Sequence, residues 1–224
     1  MMLTVYNISG APRPWRVLVG LTLKGLDYEM HYLEGSKREH KAPEFLKINP
    51  RGTVPVLNAN GLIVRDSIAI LAWLDRRYSD RPLFGESAED AARIWQFTME
   101  CCDYLRGAAG KLLFPILVEN ISLPAAESEQ MMTLKIASDA LHAECRYLEN
   151  MLDGKSFLCG DRPSAAEAVA FPEVRLIQRA LDRKGNVMEA LGFENSADQY
   201  PYLFAWMQRV ESIDGMEKTM PYHW

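Results

Sequence analysis

The sequence predicts an α/β domain over residues 1–80 followed by an all-helical domain over residues 87–224. Three observations carry that reading. Strand and helix signals alternate within the first eighty residues; an Asn60-Gly61 pair sits between two short apolar runs, the strongest short hairpin signal. Beyond Arg81-Pro82 strand signals stop and apolar residues recur at helical spacing.

Met2 to Ile8 alternates weakly and carries Val and Tyr, so a first strand ends near Asn7. A turn over Ser9 to Pro14 leads to a helix from Trp15 to Lys24, with Pro14 at its start and Gly25 just past its end. Leu26 to Tyr32 is a second strand, and strand–helix–strand within about thirty residues makes the two strands parallel. Glu34 to Lys41 is a charged, solvated loop, and Pro43 to Ile48 provides one or two helical turns before Asn49-Pro50. The hairpin follows, then a helix over IAILAWLDRRY for which Ser67 is the expected N-cap. This order is that of a thioredoxin-like domain, helices on a four-stranded mixed sheet.

In the second part, Ser87 with Asp90 opens a helix whose pattern runs through Trp95, Phe97, Met99 and Leu105 towards Val118, with Pro115 bending or ending it. Ser128 to Leu152 is a long amphipathic helix closed by Asp153-Gly154, and Ser164 to Ala180 and Tyr202 to Ser212 supply two more.

The 224 residues, 48% of them hydrophobic, suffice for a sizeable core. No apolar run is long enough to span a bilayer and no secretion signal opens the chain, so a soluble cytoplasmic protein is expected. Cys101, Cys102, Cys145 and Cys159 have neither C-x-x-C nor metal-ligand spacing and are expected to be reduced and buried. A net charge of −5 argues against nucleic acid as a partner. The charge is uneven: residues 1–82 hold 12 Lys/Arg against 8 Asp/Glu, leaving 13 against 22 of the chain's 25 and 30 for the rest. A basic first third suits a small anionic ligand.

The stretch from Asn49 to Ser67 concentrates the chemistry. Pro55 cannot donate to a sheet, so it marks a strand start or edge, and a cis bond there turns the N–H and C=O of Val54 outward to a ligand. Ser67 at a helix N-terminus offers donors to a carboxylate, while Asp66 suits an ammonium; together they make a clamp for a zwitterion.

These features resemble the cytosolic glutathione transferases. The resemblance is carried by Trp15-Arg16-Val17 with Lys24-Gly25, His40-Lys41, Pro43 to Leu46 with Asn49-Pro50, Val54-Pro55, Asp66-Ser67, and Phe157 to Asp161 followed by Ser164-Ala165-Ala166-Glu167. The stretch from His40 to Pro55 is similar to the phi class and that from Trp15 to Tyr28 to the zeta class. The resemblance implies that glutathione is the co-substrate, with no metal. Val54 pairs with its cysteine and Pro55 is the cis-proline behind it. Asp66 and Ser67 hold the γ-glutamyl end, His40 and Lys41 meet the glycine carboxylate, and Thr53 stands where the phi class usually has Gln. The Ser164 to Glu167 box is implied to act in folding, with Glu in place of the usual Asp.

A free thiol titrates near pH ~8.5, so only about 3% is thiolate at pH 7. Lowering its pKa by about two units takes ~2.7 kcal/mol, most of which one hydrogen bond in the ~1.5–3 kcal/mol range supplies. The serine that donates it in the phi and zeta classes falls on Ala11, which has no hydroxyl. Ser9, Tyr6, and Arg13 with backbone N–H groups are the substitutes within reach. The expected activity is transfer of glutathione to small apolar electrophiles, lying against Tyr104, Phe114 and Trp206. The alternatives are glutathione-dependent isomerisation, and a non-catalytic binding module on the same fold. A homodimer is expected, with Glu100 or Asp103 reaching the partner's ligand.

Overall fold

The computed structural model describes residues 2–224. The sheet runs in the order β2-β1-β3-β4, from β1 (Leu3–Asn7), β2 (Glu29–Tyr32), β3 (Val56–Ala59) and β4 (Leu62–Arg65). β1 and β2 are parallel with Thr4 opposite Glu29; β1–β3 and β3–β4 are antiparallel, with Val5 opposite Leu57 and Ala59 opposite Leu62. The two-residue hairpin forms because Asn60 and Gly61 both take positive φ, +52° and +96°. Asn58 fixes it by accepting the Gly61 N–H at 2.7 Å.

Period-two alternation sorts β1 between two faces. Leu3 and Val5 join the main core with α1 (Pro12–Leu23) and α3 (Ser67–Arg77), whereas Tyr6 packs in a smaller cluster with Phe45 of α2 (Pro43–Ile48). β2 is shorter than expected, and α1 begins three residues earlier than Trp15, because Pro12 and Pro14 both fit its first turn.

Helices fill the rest: α4 (Ala88–Glu100), α5 (Arg106–Leu117), α6 (Glu129–Leu152), α7 (Ala165–Ala190), α8 (Ser196–Gln199) and α9 (Pro201–Glu211). Ser87 and Ser128 cap α4 and α6, accepting the N–H of Asp90 at 3.0 Å and of Met131 at 3.1 Å. A π-helical turn, Cys101–Leu105, joins α4 to α5; Pro115 lies inside α5, which ends two residues later. α7 outruns the expected end at Ala180, continuing through a kink at Lys184. All four cysteines are free, but only Cys101 and Cys145 are buried; Cys102 and Cys159 are half-buried.

α1 locks the sheet to the helices. Trp15, fully enclosed, meets Phe171 edge-on, and burying an aromatic of this size contributes about 1.5–3 kcal/mol. Arg16 is buried beside it and pairs with the buried Glu173 of α7 at 3.0 Å, while Arg106 reaches the other oxygen at 3.4 Å. The Ser164 to Glu167 box is closed on every side. Glu167 accepts from the backbone N–H groups of Leu158 and Ser164, both at 2.7 Å, from the Ser164 hydroxyl at 2.8 Å and from the Trp206 indole at 3.4 Å. Burial pushes its carboxyl up and these donors pull it back. No helix is long and apolar enough to cross a membrane among the described residues.

Candidate active site

The antiparallel pairing of β3 with β1 stops at Val56 opposite Tyr6. Pro55 cannot extend it, and the Val54-Pro55 bond is cis. Val54, half-buried, is therefore left with no hydrogen-bond partner for its N–H or C=O among the described residues. The fully buried Asn49 holds the approach, donating to the Thr53 carbonyl at 2.7 Å and hydroxyl at 3.2 Å, and accepting the Arg51 N–H at 3.2 Å. Gly52 is needed within that turn: with φ +56°, a Cβ there would lie 2.8 Å from the His40 carbonyl.

β4 ends at Arg65, and the chain turns at once into α3. The turn falls on Asp66, at φ +74°, and Asp66 rather than Ser67 is the N-cap. Its Oδ1 accepts the N–H groups of Ile68 at 2.9 Å and Ala69 at 3.4 Å, while Oδ2 has no partner among the described residues. Ser67 is the first helical residue and is buried. The expected carboxylate cradle is thus partly filled by the chain's own carboxylate, whose second oxygen faces an exposed surface suited to an ammonium.

His40 and Lys41 lie on a 3-10 turn, Glu39–Lys41. Lys41 donates to the Arg51 carbonyl at 3.2 Å and is exposed. His40 has a buried Nδ1 without a partner, and burial together with Lys41 and Arg38 holds its proton affinity below the ordinary range. At neutral pH it is uncharged and Lys41 carries the local positive charge.

The three candidate donors stand apart. Tyr6 is committed to the α2 side of the sheet, its ring against His31 at 4.9 Å and Phe45 at 5.7 Å. Arg13 is exposed on the first turn of α1. That helix start is a poor anion site: Ala11 caps it without a side-chain bond, and Pro12 and Pro14 have no N–H to give. Ser9 sits in a tight turn closed by Ala11 N–H to Ile8 C=O at 3.1 Å, with Gly10 at φ +79°. Its hydroxyl is 3.2 Å from Nδ1 of His223, a contact across 214 residues that no local pattern signals.

Trp206 does not line a second pocket. It is fully buried and bonded to Glu167, because its face of α9 turns into the helical core. Tyr104 and Phe114 are exposed. The exposed Tyr222 lies with its ring 5.3 Å from that of His223 and edge-on to Tyr32 at 5.4 Å. Glu100 is engaged within the chain, accepting from Tyr147 at 2.8 Å, whereas Asp103 is exposed. No group of three or more metal-ligating side chains occurs among the described residues.

Family models described as the glutathione S-transferase N-terminal and C-terminal domains match residues 11–77 and 126–209. A zeta-class glutathione S-transferase of Euphorbia esula is 42% identical over 221 residues, covering 98% of this chain and 90% of that one. Glutathione S-transferase Z2 of Arabidopsis thaliana is 36% identical over 222 residues, 98% and 91% respectively. The crystal structure of a glutathione S-transferase from the Antarctic clam Laternula elliptica superposes with a TM-score of 0.81 at 28% identity, covering 100% of this chain and 94% of that one. With both halves of the chain matched in order and two relatives aligned over nearly all of it, the protein belongs to the cytosolic glutathione S-transferase family.

Proposed function

We propose that the chain binds glutathione in the Asn49 to Ser67 region and transfers it, as thiolate, to small apolar electrophiles. The observation that carries this is the unpaired backbone of Val54 beside cis-Pro55, which offers one donor and one acceptor to an extended peptide. The cysteinyl residue of glutathione pairs there. Its γ-glutamyl ammonium meets the open Oδ2 of Asp66, with Ser67 alongside, and its glycine carboxylate lies towards Lys41 and His40, beside Thr53. Ser9 is the thiol donor, because it brings a hydroxyl to the turn between β1 and α1 where Tyr6 is packed away and prolines take two of the first three positions of the helix. The thiol proton leaves to solvent, and the sulfur forms the new bond to the electrophile as that molecule's leaving group departs, or adds across its activated double bond. Tyr222 gives the electrophile an aromatic wall.

Calorimetric titration with glutathione tests the reading. Micromolar to millimolar binding that is lost on Asp66→Ala supports it; no binding heat from the wild-type chain at millimolar ligand removes it.

Glutathione-dependent isomerisation is the second reading, favoured by Trp15-Arg16-Val17 and by the similarity to zeta-class sequences. Turnover of a maleylacetoacetate-type substrate against that of chlorodinitrobenzene separates the two. A homodimer places Asp103 of each copy near the partner's ligand, and Asp103→Asn leaving glutathione affinity unchanged removes that contact.

A further inference from the structure

We propose that His223 is a positioning residue for Ser9: its ring N–H donates to the Ser9 oxygen and turns the hydroxyl hydrogen towards the glutathione sulfur. The inference rests on the reading of Ser9 as thiol donor and adds the group that orients it.

The segment 219–224 is seated against the start of α1 through several independent contacts. Thr219, buried, accepts the Trp15 indole N–H at 3.0 Å. Trp224 meets the Trp15 ring edge-on at 5.0 Å and lies under the Arg179 guanidinium at 4.4 Å. Trp224 N–H closes a turn onto Pro221 C=O at 3.1 Å, and Tyr222 packs on Tyr32. His223 is held between these anchors. Its ring lies over Gly10 so closely that a Cβ there would be 3.1 Å from Cε1 and 3.2 Å from Nε2. Nδ1 then stands 3.2 Å from the Ser9 oxygen.

The chemistry follows from hydrogen-bond polarity. A hydroxyl has one hydrogen, so a serine that donates to a thiolate has only its oxygen left for a neighbour, and that neighbour must donate. Neutral imidazole protonated on Nδ1 does so, leaving Nε2 as the acceptor. Burial and the cations Arg179 and Arg183 of α7 lower the proton affinity of His223, while Ser9, Tyr222 and Tyr32 bring no carboxylate to raise it. No proton changes owner: the imidazole keeps its hydrogen, the serine keeps its own, and two bonds in series polarise each other towards the sulfur.

The test is ultraviolet titration of the thiolate of bound glutathione, with the pH profile of kcat/KM for chlorodinitrobenzene, in wild type and in Ser9→Ala, His223→Ala and His223→Asn. His223→Ala is expected to cut the thiolate-to-thiol ratio by about three- to tenfold, a rise of about 0.5–1 in thiol pKa. His223→Asn is expected to restore most of it, since the amide N–H replaces Nδ1–H, and glutathione affinity at pH 7 falls by no more than the roughly two- to threefold that the pKa rise itself imposes. A ring that only packs would alter the melting temperature or affinity and leave the titration unmoved. If Ser9→Ala raises the thiol pKa and His223→Ala does not, this proposal fails and Ser9 stands. If His223→Ala and His223→Asn raise it equally, the N–H has no role and the proposal fails. A pKa unmoved by Ser9→Ala, or a wild-type thiol that titrates like free glutathione, removes the donor reading and this one together.

Discussion

Glu167 and Asp66 are both carboxylates at the N-terminus of a helix, and their surroundings are opposite. Glu167 is fully buried and takes four donors spread over its two oxygens. Asp66 is exposed, holds two donors on one oxygen and leaves the other open. The same capping chemistry is saturated where the chain needs a fixed helix and half-used at Asp66, where the proposed ligand ammonium would complete it. Backbone conformation tells the same story. Ser164 caps α7 from an extended conformation that any residue adopts, whereas Asp66 is held at φ +74°, a cost accepted beside the proposed ligand.

The largest effect that would break the comparison is on Glu167. Glu167→Ala strands the buried N–H groups of Leu158 and Ser164 and the Trp206 indole, so urea unfolding is expected to show a loss of about 3–5 kcal/mol. A loss under about 1 kcal/mol would mean that the box is not what fixes α7. Asp66→Asn is the matching change at the open site. Asn caps as well as Asp, so stability should hold, while removing the charge weakens glutathione binding by about ten- to a hundredfold in calorimetry. Equal losses of stability and affinity would make Asp66 another structural cap.

A smaller effect sharpens the contrast through pH. His40 is held uncharged by burial, Lys41 and Arg38; a carboxylate arriving beside it raises its proton affinity. With S-methylglutathione, whose sulfur has no proton to release, binding then takes up a proton, so affinity should increase by a few-fold as pH falls from about 7.5 to 6, with proton uptake visible as a buffer-dependent heat. His40→Gln should flatten that slope. Smallest is Gly61→Ala, where a Cβ meets nothing within 4 Å and only the positive φ matters. About 1 kcal/mol of stability should be lost with glutathione affinity unchanged.

Much of this arrangement was legible in the sequence because it is written in neighbours. Asn60-Gly61 dictates its own turn, Ser87 and Ser128 cap the residues that follow them, and Ser164 with Glu167 closes a box within one turn. Val54-Pro55 likewise stops its own ladder. The misreadings came where neighbours were not enough. Ser67 had the right side chain for a cap, but the register that ends β4 at Arg65 puts the turn one residue earlier, on Asp66. Trp206 was a plausible pocket aromatic until the packing of α9 turned it onto Glu167.

The residues alone thus determined the order of strands and helices and the open backbone before Pro55, since each depends on propensity, capping or proline chemistry within a few positions, and their motifs from Trp15 to Glu167 carried the resemblance to the family. Tertiary structure alone decided what surrounds Ser9. Arg16 meets Glu173 across 157 residues, Trp15 meets Thr219 across 204 and Ser9 meets His223 across 214. Contacts at such separation have no local signature, because they form only when packing of α1 against α7 brings the two ends of the chain onto one surface.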